Sequence, residues 1–424
     1  MSARAIVEAD AFTFAGLLRD DDLVVCGQTC AEPLTLTRKL VAHCAEHHQP
    51  VRIFVGTLFS ATFDHAPASA SFLSYGAIGR AARLSERGML DVLAERYHSV
   101  PGLFANGPLR ADVVLLQAAE AADGTLSFGL SCDYALQAAR QARLVVVELN
   151  PWAPWTYGTP WPRDLRIDIR VRADCPPLEL PRSAADDTAT AIGRHVAQLV
   201  PDGATLQTGV GSLPDATLDA LRGHRHLGLH SGLLGDAGLD LIRCGVIDNS
   251  RKTLDAGIAV ANTLCASADG YRYADRNTGI EVRHSDDTHD AAILGRQARL
   301  HAINGALQID LGGQANCETL RGRPHGGIGG LLDFTRAARQ SSEGRAITVL
   351  PATAAQGTLS RIVPALSGPA TLGRSDIDVV VTEYGVAELR GASLAQRARR
   401  LIAIAAPRFR DELAAAWHAQ GVRA

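Results

Sequence analysis

Four short runs of β-branched and aliphatic residues, Leu23 to Gly27, Val51 to Gly56, Asp112 to Gln117 and Leu144 to Leu149, recur along the first part of the chain with amphipathic stretches between them. Each run is short and bounded by turn residues, which reads as a strand buried on both faces. Between the first two, Leu34 to His47 has helical spacing. Strand, helix and strand within about thirty residues make a βαβ unit, and its recurrence predicts a mainly parallel sheet covered by helices. The first half is therefore expected to be α/β.

Three prolines in six residues, Pro176, Pro177 and Pro181, interrupt the pattern. Such a stretch cannot sit inside a central strand or helix. The domain boundary is placed there, giving an N-terminal domain over 1–180 and a C-terminal domain over 186–424. Past the boundary come a helix from Asp187 to Leu199, a strand at Ala204 to Gly209, a helix from Pro214, a strand at Leu227 to His230, a helix from Asp236, and strands at Ile347 to Leu350 and Ile377 to Val381. The second half repeats the architecture of the first. At 424 residues there is room for two or three domains, and no short-period repeat points to a solenoid.

Basic residues number 42 against 45 acidic ones, a net charge of −3. That balance supplies no electrostatic footprint for nucleic acid or an anionic membrane, so a small-molecule partner is expected. Lys occurs only at 39 and 252, and no function follows from the arginine skew. Eight scattered cysteines without a Cys-x-x-Cys pair read as reduced, mostly structural thiols, and a metal site has no support. The opening segment carries acids where a signal peptide needs a basic stretch, and no window approaches 18 apolar residues. Cytoplasmic location is the expectation.

Two glycine-rich segments stand out. In the stretch from Leu206 to Asp215, Gly209 and Gly211 fall between a strand and a helix whose first turn holds Pro214 and Asp215. Such glycines present backbone N–H groups at a helix N-terminus, which favours a phosphate or a developing oxyanion. The segment lacks the third glycine of a dinucleotide fingerprint and the Lys-Ser/Thr of a P-loop, so an ordinary tight turn is the competing reading. The second segment, Gly326-Gly-Ile-Gly-Gly, packs four glycines into five positions. Because glycine costs conformational entropy on folding, that density reads as a ligand-facing loop.

With both segments in view the chain resembles the acetyl-CoA hydrolase/transferase family, which includes 4-hydroxybutyrate and acetate CoA-transferases. The resemblance covers most of the chain. It is carried by Gly209-Val-Gly-Ser-Leu-Pro-Asp-Ala, Leu227-Gly-Leu-His-Ser-Gly with Asp240-Leu-Ile-Arg-Cys-Gly-Val-Ile, Gly327-Ile-Gly-Gly-Leu-Leu-Asp-Phe, Ser360-Arg-Ile-Val-Pro and, most distinctively, Val381-Thr-Glu-Tyr-Gly-Val-Ala-Glu-Leu-Arg-Gly. Asp112 to Gln117, Ser131-Cys-Asp-Tyr and Glu148-Leu-Asn-Pro add weaker matches. The resemblance implies two tandem related open-sheet α/β domains of the CoA-transferase type, with the active site in the interdomain cleft. It also implies coenzyme A as substrate with no tightly bound cofactor, an acyl-CoA and a small carboxylic acid as partners, and a homo-oligomer such as a dimer. Gly209, Gly211, Gly327, Gly329 and Gly330 are the positions where the family holds CoA and the oxyanion. In such enzymes a glutamate attacks the thioester, which a desolvated site with aimed N–H donors permits.

One departure concerns that glutamate. The family carries it two residues after the histidine of the strand matching Leu227 to His230, and that position here is Gly232, flanked by Ser231 and Leu233. Three explanations compete. A carboxylate from elsewhere serves, with Glu32, Asp64 and Asp236 as candidates, although Glu32 precedes Pro33 at a helix start, Asp64 reads as a surface loop residue and Asp236 as a helix N-cap. Alternatively water attacks with a base such as His230, which otherwise reads as a core histidine. Finally, the protein binds CoA without turning it over. Glu281 reads as a solvated edge-strand residue, Glu383 as either a carboxyl-edge ligand group or a turn-fixing residue, and His47, His48, Asp286 and Asp287 as solvated surface.

Overall fold

The computed structural model describes residues 5–419; the first four residues of the opening segment lie outside them. The chain divides into two compact units, one formed by residues up to 181 with 260–288 and 324–329, the other by 182–259, 289–323 and 330–424. The first change of unit falls between Pro181 and Arg182, and the chain later returns to the first unit twice.

In the first unit, eight strands form the main path of a nine-stranded sheet, to which the short strand Leu126–Ser127 adds antiparallel: β1 (Ile6–Val7), β2 (Leu23–Cys26), β3 (Val51–Phe54), β4 (Ala70–Ser74), β5 (Leu90–Val92), β6 (Val113–Glu120), β7 (Leu144–Leu149) and β8 (Ile169–Arg172). Their order is β1-β8-β7-β6-β2-β3-β4-β5, and every one of these neighbours is parallel. Alternate residues feed two cores. Val24, Cys26, Leu115 and Val146 pack in one with Leu36 and Leu40 of α1 (Leu34–His47), while Val25, Val114 and Val147 pack in the other with Phe104 and Tyr134. Burial on both faces is why these strands read as unbroken apolar runs.

Helix α1 lacks a side-chain cap of its own, because its N-cap is Pro33. A strand supplies one instead. Glu148 of β7 accepts from the backbone N–H groups of Thr35, at 2.9 Å, and Leu36, at 3.3 Å. Burial pushes the Glu148 carboxyl up to about 7 even though those two donors and Asn150 favour its charged form.

The second unit has strands β9 (Thr205–Gln207), β10 (Gly228–Leu234), β11 (Leu300–Gly305), β12 (Arg345–Val349), β13 (Val379–Thr382) and β14 (Gly385–Glu388). Their order is β14-β13-β12-β11-β9-β10, parallel except for the β13–β14 hairpin. The repeated α/β reading of the two halves is what the structure has. Helix α2 (Asp187–Ala197) crosses α3 (Ser212–Ala220) at Gly193, where a Cβ would meet the Ala216 carbonyl oxygen at 2.6 Å. α3 starts at Ser212, two residues before the expected Pro214, because Gly211 takes the N-cap. α4 (Asp236–Arg243) starts where the pattern placed it, but its N-cap is Gly235, so Asp236 is the first helical residue rather than the cap. Two later helices are α5 (Leu331–Gln340) and α6 (Leu394–Ala403).

Among the described residues no helix is long and apolar enough to cross a membrane. All eight cysteines are free thiols, six of them buried.

Candidate functional site

In the second unit the parallel strands bring the carboxyl ends of β9, β10 and β11 together, the edge where open α/β sheets bind ligands. The loop from Thr208 to Gly211 leaves β9 and enters α3. Gly211 has φ +115°, outside what a side chain tolerates, and nothing lies within 4 Å of the place its Cβ would occupy. Gly209 is similarly open, with only Pro214 at 3.7 Å. The N-terminus of α3 therefore offers uncovered backbone donors. Ser231 of β10 anchors this loop: its hydroxyl accepts from the Thr208 N–H at 3.2 Å and donates to the Thr208 carbonyl at 2.9 Å. Gln207 and Asn304, on neighbouring strands, exchange side-chain amide hydrogen bonds of 3.1 and 2.8 Å.

Gly232 follows Ser231 in β10, and its surroundings were not legible from sequence. A Cβ there would lie 3.0 Å from Nε2 of His289 and 3.7 Å from Phe334. Gly330, the N-cap of α5, faces the same imidazole: its Cβ would meet Cδ2 and Nε2 of His289 at 2.6 Å. The His289 ring also meets Phe334 edge to face, with centroids 4.9 Å apart. It is buried, with 3% of its surface exposed. Residues 232, 289 and 330 belong to three separate segments, and a histidine between Thr288 and Asp290 carries no local signature.

The chain changes unit within the second glycine segment, between Gly329 and Gly330. Within the first unit, Gly327 bridges to Gly76, and a Cβ on Gly327 would lie 3.0 Å from the Gly76 Cα. Gly326 accepts from the Ala77 N–H at 2.7 Å, and Gly329 from the Tyr97 N–H at 2.9 Å. Gly329 has φ +49° and only Ile78, at 3.8 Å, near its Cβ direction. Contacts within the protein thus account for glycine at 327 and 330, while Gly329 keeps open space beside a left-handed backbone.

The acids raised as substitutes lie in the first unit apart from Asp236. Glu32, after β2, is fully buried, accepting from Ser60 Oγ at 2.6 Å and Thr37 Oγ1 at 2.8 Å. Burial pushes its carboxyl up, and the hydroxyls of Ser60, Thr37 and Thr62 act against that rise. Asp64 is bound by Arg80 and Arg83. Its partial burial acts upward, but the two guanidiniums hold it below the ordinary value. Beside Glu32 the same sheet end carries a polar chain that sequence reading missed. The Gln28 amide donates to the Tyr97 hydroxyl at 3.0 Å, which donates to Asn262 at 2.7 Å, while Tyr75 donates to Gln28 at 2.6 Å. Asp133 accepts from the backbone of Gln28 and Ala135, and burial raises it to about 6 against those bonds.

His230 is buried in β10. Glu281 is on no edge: its strand, Ile280–Val282, pairs in parallel with Tyr157–Gly158, the Arg283 N–H donates to the Ala261 carbonyl on its other side, and Glu281 binds the Arg283 side chain at 2.6 Å. Glu383, just beyond β13, accepts from the Ala352 N–H at 2.8 Å. His47 and His48 end α1 on the exposed surface, and Asp286 binds His284 at 3.3 Å.

A mainly parallel α/β protein of two units, with glycine-lined strand ends in place of a dinucleotide fingerprint, is the class these features define. Residues 8–169 match the acetyl-CoA hydrolase/transferase N-terminal domain and residues 267–417 its C-terminal domain. The chain is 40% identical over 320 residues to the 4-hydroxybutyrate coenzyme A transferase of Clostridium kluyveri, covering 75% of each. Among solved structures it is similar to RipA from Yersinia pestis, with a TM-score of 0.88, 32% identity and 96% of each chain covered. It is also similar to the 4-hydroxybutyrate CoA-transferase from Porphyromonas gingivalis, with a TM-score of 0.80, 32% identity and coverage of 98% and 97%. The chain belongs to the acetyl-CoA hydrolase/transferase family.

Proposed function

We propose that the protein moves coenzyme A between a short-chain acyl-CoA and a carboxylic acid of the acetate, butyrate or 4-hydroxybutyrate type. The observation that carries this reading is the uncovered donor loop Gly209 to Gly211 at the head of α3, held by Ser231 at the carboxyl edge of the sheet. A thioester carbonyl placed there would have its developing negative charge met by fixed N–H groups, which is the principal demand of acyl transfer. In this reading Gly209 and Gly211 hold the oxyanion, and Gly327, Gly329 and Gly330 border the CoA.

Gly232 stands, in this reading, where the family places its glutamate. Glu32 and Asp64 would replace it only by giving up the hydroxyl and guanidinium partners they hold. The glycine favours a second reading, thioester hydrolysis, in which water takes the place of the acceptor acid. Exchange of labelled acetate into acetyl-CoA, run beside free-thiol release without acceptor, decides between them: exchange supports the transferase, and thiol release alone supports hydrolysis. Absence of both across acetyl-, butyryl- and 4-hydroxybutyryl-CoA removes the enzymatic reading. A homo-oligomer in the cytoplasm is proposed with it, and light scattering that reports a monomer would remove the first part.

A further inference from the structure

We propose that the second unit carries a binding site for a phosphate or polyphosphate anion between α5, α6 and the segment leading into β13, separate from the donor loop of residues 209–211. Two arginines there lack a counter-charge. Arg397 of α6 is buried, with 8% of its surface exposed, and its guanidinium donates only to backbone carbonyls. Nη1 reaches Arg374 at 2.9 Å and Gly312 at 3.5 Å, and Nε reaches Ala392 at 3.4 Å. Arg374 is exposed beside it. Among the described residues neither guanidinium has a carboxylate partner, and neither Nη2 of Arg397 nor the head group of Arg374 makes a hydrogen bond. Burial, with the charges of Arg339 and Arg374 acting the same way, holds the Arg397 guanidinium below its ordinary value.

The charge around this pair is unbalanced as well. Arg336 and Arg339 of α5 and Arg390 after β14 bind Asp376 and Asp378, so five guanidiniums share two carboxylates. Asp378 is fully buried and taken by Arg390 at 2.8 and 2.6 Å, which leaves Arg339 3.9 Å away. A cation out of water is costly unless an anion offsets it. The turn at Gly312 and Gly313 is shaped to both unpaired arginines: a Cβ on Gly312 would lie 2.9 Å from Nε of Arg374, and one on Gly313 would lie 2.7 Å from Nη1 of Arg397. Asp310 fixes that turn by accepting from the Gln314 N–H at 2.9 Å and from its side-chain amide at 2.8 Å. Planar guanidinium forks with donors to spare suit phosphate oxygens, and a surplus of more than one positive charge favours a polyphosphate over a monocarboxylate. Residues 374–378 lead into the amino end of β13, whereas the donor loop leaves the carboxyl end of β9 in the same parallel sheet. The two sites therefore belong to opposite edges.

Binding here does not depend on acyl transfer, and its test reads binding alone. The full chain is titrated calorimetrically with inorganic pyrophosphate and, separately, inorganic phosphate at low salt. Saturable binding is expected, tighter for pyrophosphate, with Tm rising as ligand is added. Arg374→Gln changes an exposed side chain that makes no hydrogen bond, so without ligand its Tm should be no lower than the parent's, while its affinity for pyrophosphate should fall by about tenfold or more. Arg397→Lys keeps the charge but loses the fork and should weaken binding by a similar factor. Arg194→Gln, on the exposed side of α2, is the control and should alter affinity by less than about twofold. No saturable binding to the parent, or equal affinity in Arg374→Gln and Arg194→Gln, overturns the proposal. CoA that displaces pyrophosphate and is itself weakened in Arg374→Gln would assign these arginines to the substrate's phosphates and overturn a separate site. A dimer in the parent that becomes a monomer in Arg374→Gln, with no pyrophosphate bound by either, would give the pair to acids of a second copy and overturn it too. Should Arg397→Lys fail to fold, Arg374→Gln decides alone.

Discussion

Nε2 of His289 stands 3.0 Å from the point where a side chain on Gly232 would begin. That relationship joins two positions that look unrelated in sequence, a glycine inside a strand and a histidine 57 positions later. Neither position is independent of the other. A bulkier residue at 232 has to displace the ring, and the ring in turn fills the volume that glycine leaves.

Introducing a carboxylate by Gly232→Glu alone should therefore not produce carboxylate chemistry. The new side chain competes with the imidazole for one volume, and overpacking of this kind costs about 1–3 kcal/mol. Combined with His289→Ala, the same substitution should recover stability and, given acetyl-CoA and acetate, accumulate a CoA-mass adduct on residue 232. Urea denaturation of the four members of the cycle measures the coupling, expected at about 0.5–3 kcal/mol. Additive effects would mean that the two positions do not share space.

Gly76→Ala and Gly327→Ala are each expected to destabilise the first unit by about 1–3 kcal/mol. At both sites the added methyl would face backbone, since the Cβ on Gly76 would lie 2.9 Å from the Gly327 Cα and that on Gly327 would lie 3.0 Å from the Gly76 Cα. Backbone cannot rotate away as a side chain can. Thermal melts check this, and an unchanged Tm in both variants would show that the two strands of chain are not in close approach.

Burial on both faces made the central strands legible: β2 and β7 coincide with their apolar runs, and α1 spans the residues its spacing predicted. β4 and β11 were missed because Ala70–Ser74 and Leu300–Gly305 interleave small or polar residues such as Ser71, His301 and Asn304, which blur a short strand. The two glycine segments were visible, but their reasons were not. Gly327 answers to Gly76 and Gly330 to His289, pairings set by tertiary packing of distant segments. Glu148 as the cap of α1 was hidden for the same reason, since a cap supplied 113 residues away leaves no local mark.

Glu148 should also give the fold a pH dependence. Its carboxyl titrates at about 7 in the folded protein against an ordinary 4.5. Between those values the folded state holds a proton that the unfolded state has lost, so the contribution is full below pH 4.5 and fades as pH rises toward 7. At roughly 1.4 kcal/mol per pH unit the loss is about 3 kcal/mol, and Glu148→Gln, which keeps an acceptor for Thr35 and Leu36, should flatten the slope. Urea unfolding from pH 5 to pH 8 measures it. Stability that rises over this range by the same amount in parent and variant would assign the dependence elsewhere.

Gly329 allows the CoA placement to be tested apart from backbone strain. Its φ of +49° lies in the left-handed region, where a β-branched residue is strained and asparagine is tolerated. Gly329→Val would therefore confound two effects, a backbone cost of about 1–3 kcal/mol and a side chain in the open space beside Ile78. Gly329→Asn adds a side chain of similar reach at little backbone cost. If CoA approaches this loop closely, calorimetry should show affinity for CoA reduced by about tenfold or more in Gly329→Asn, equivalent to about 1.4 kcal/mol, with Tm close to that of the parent. Gly88→Asn is the matched control, since Gly88 also has a positive φ, of +70°, and open space beside it but lies in a turn of the first unit before β5. Equal CoA affinity in the parent and in both folded variants would place the nucleotide away from Gly329 and leave the glycine there as a requirement of the turn alone.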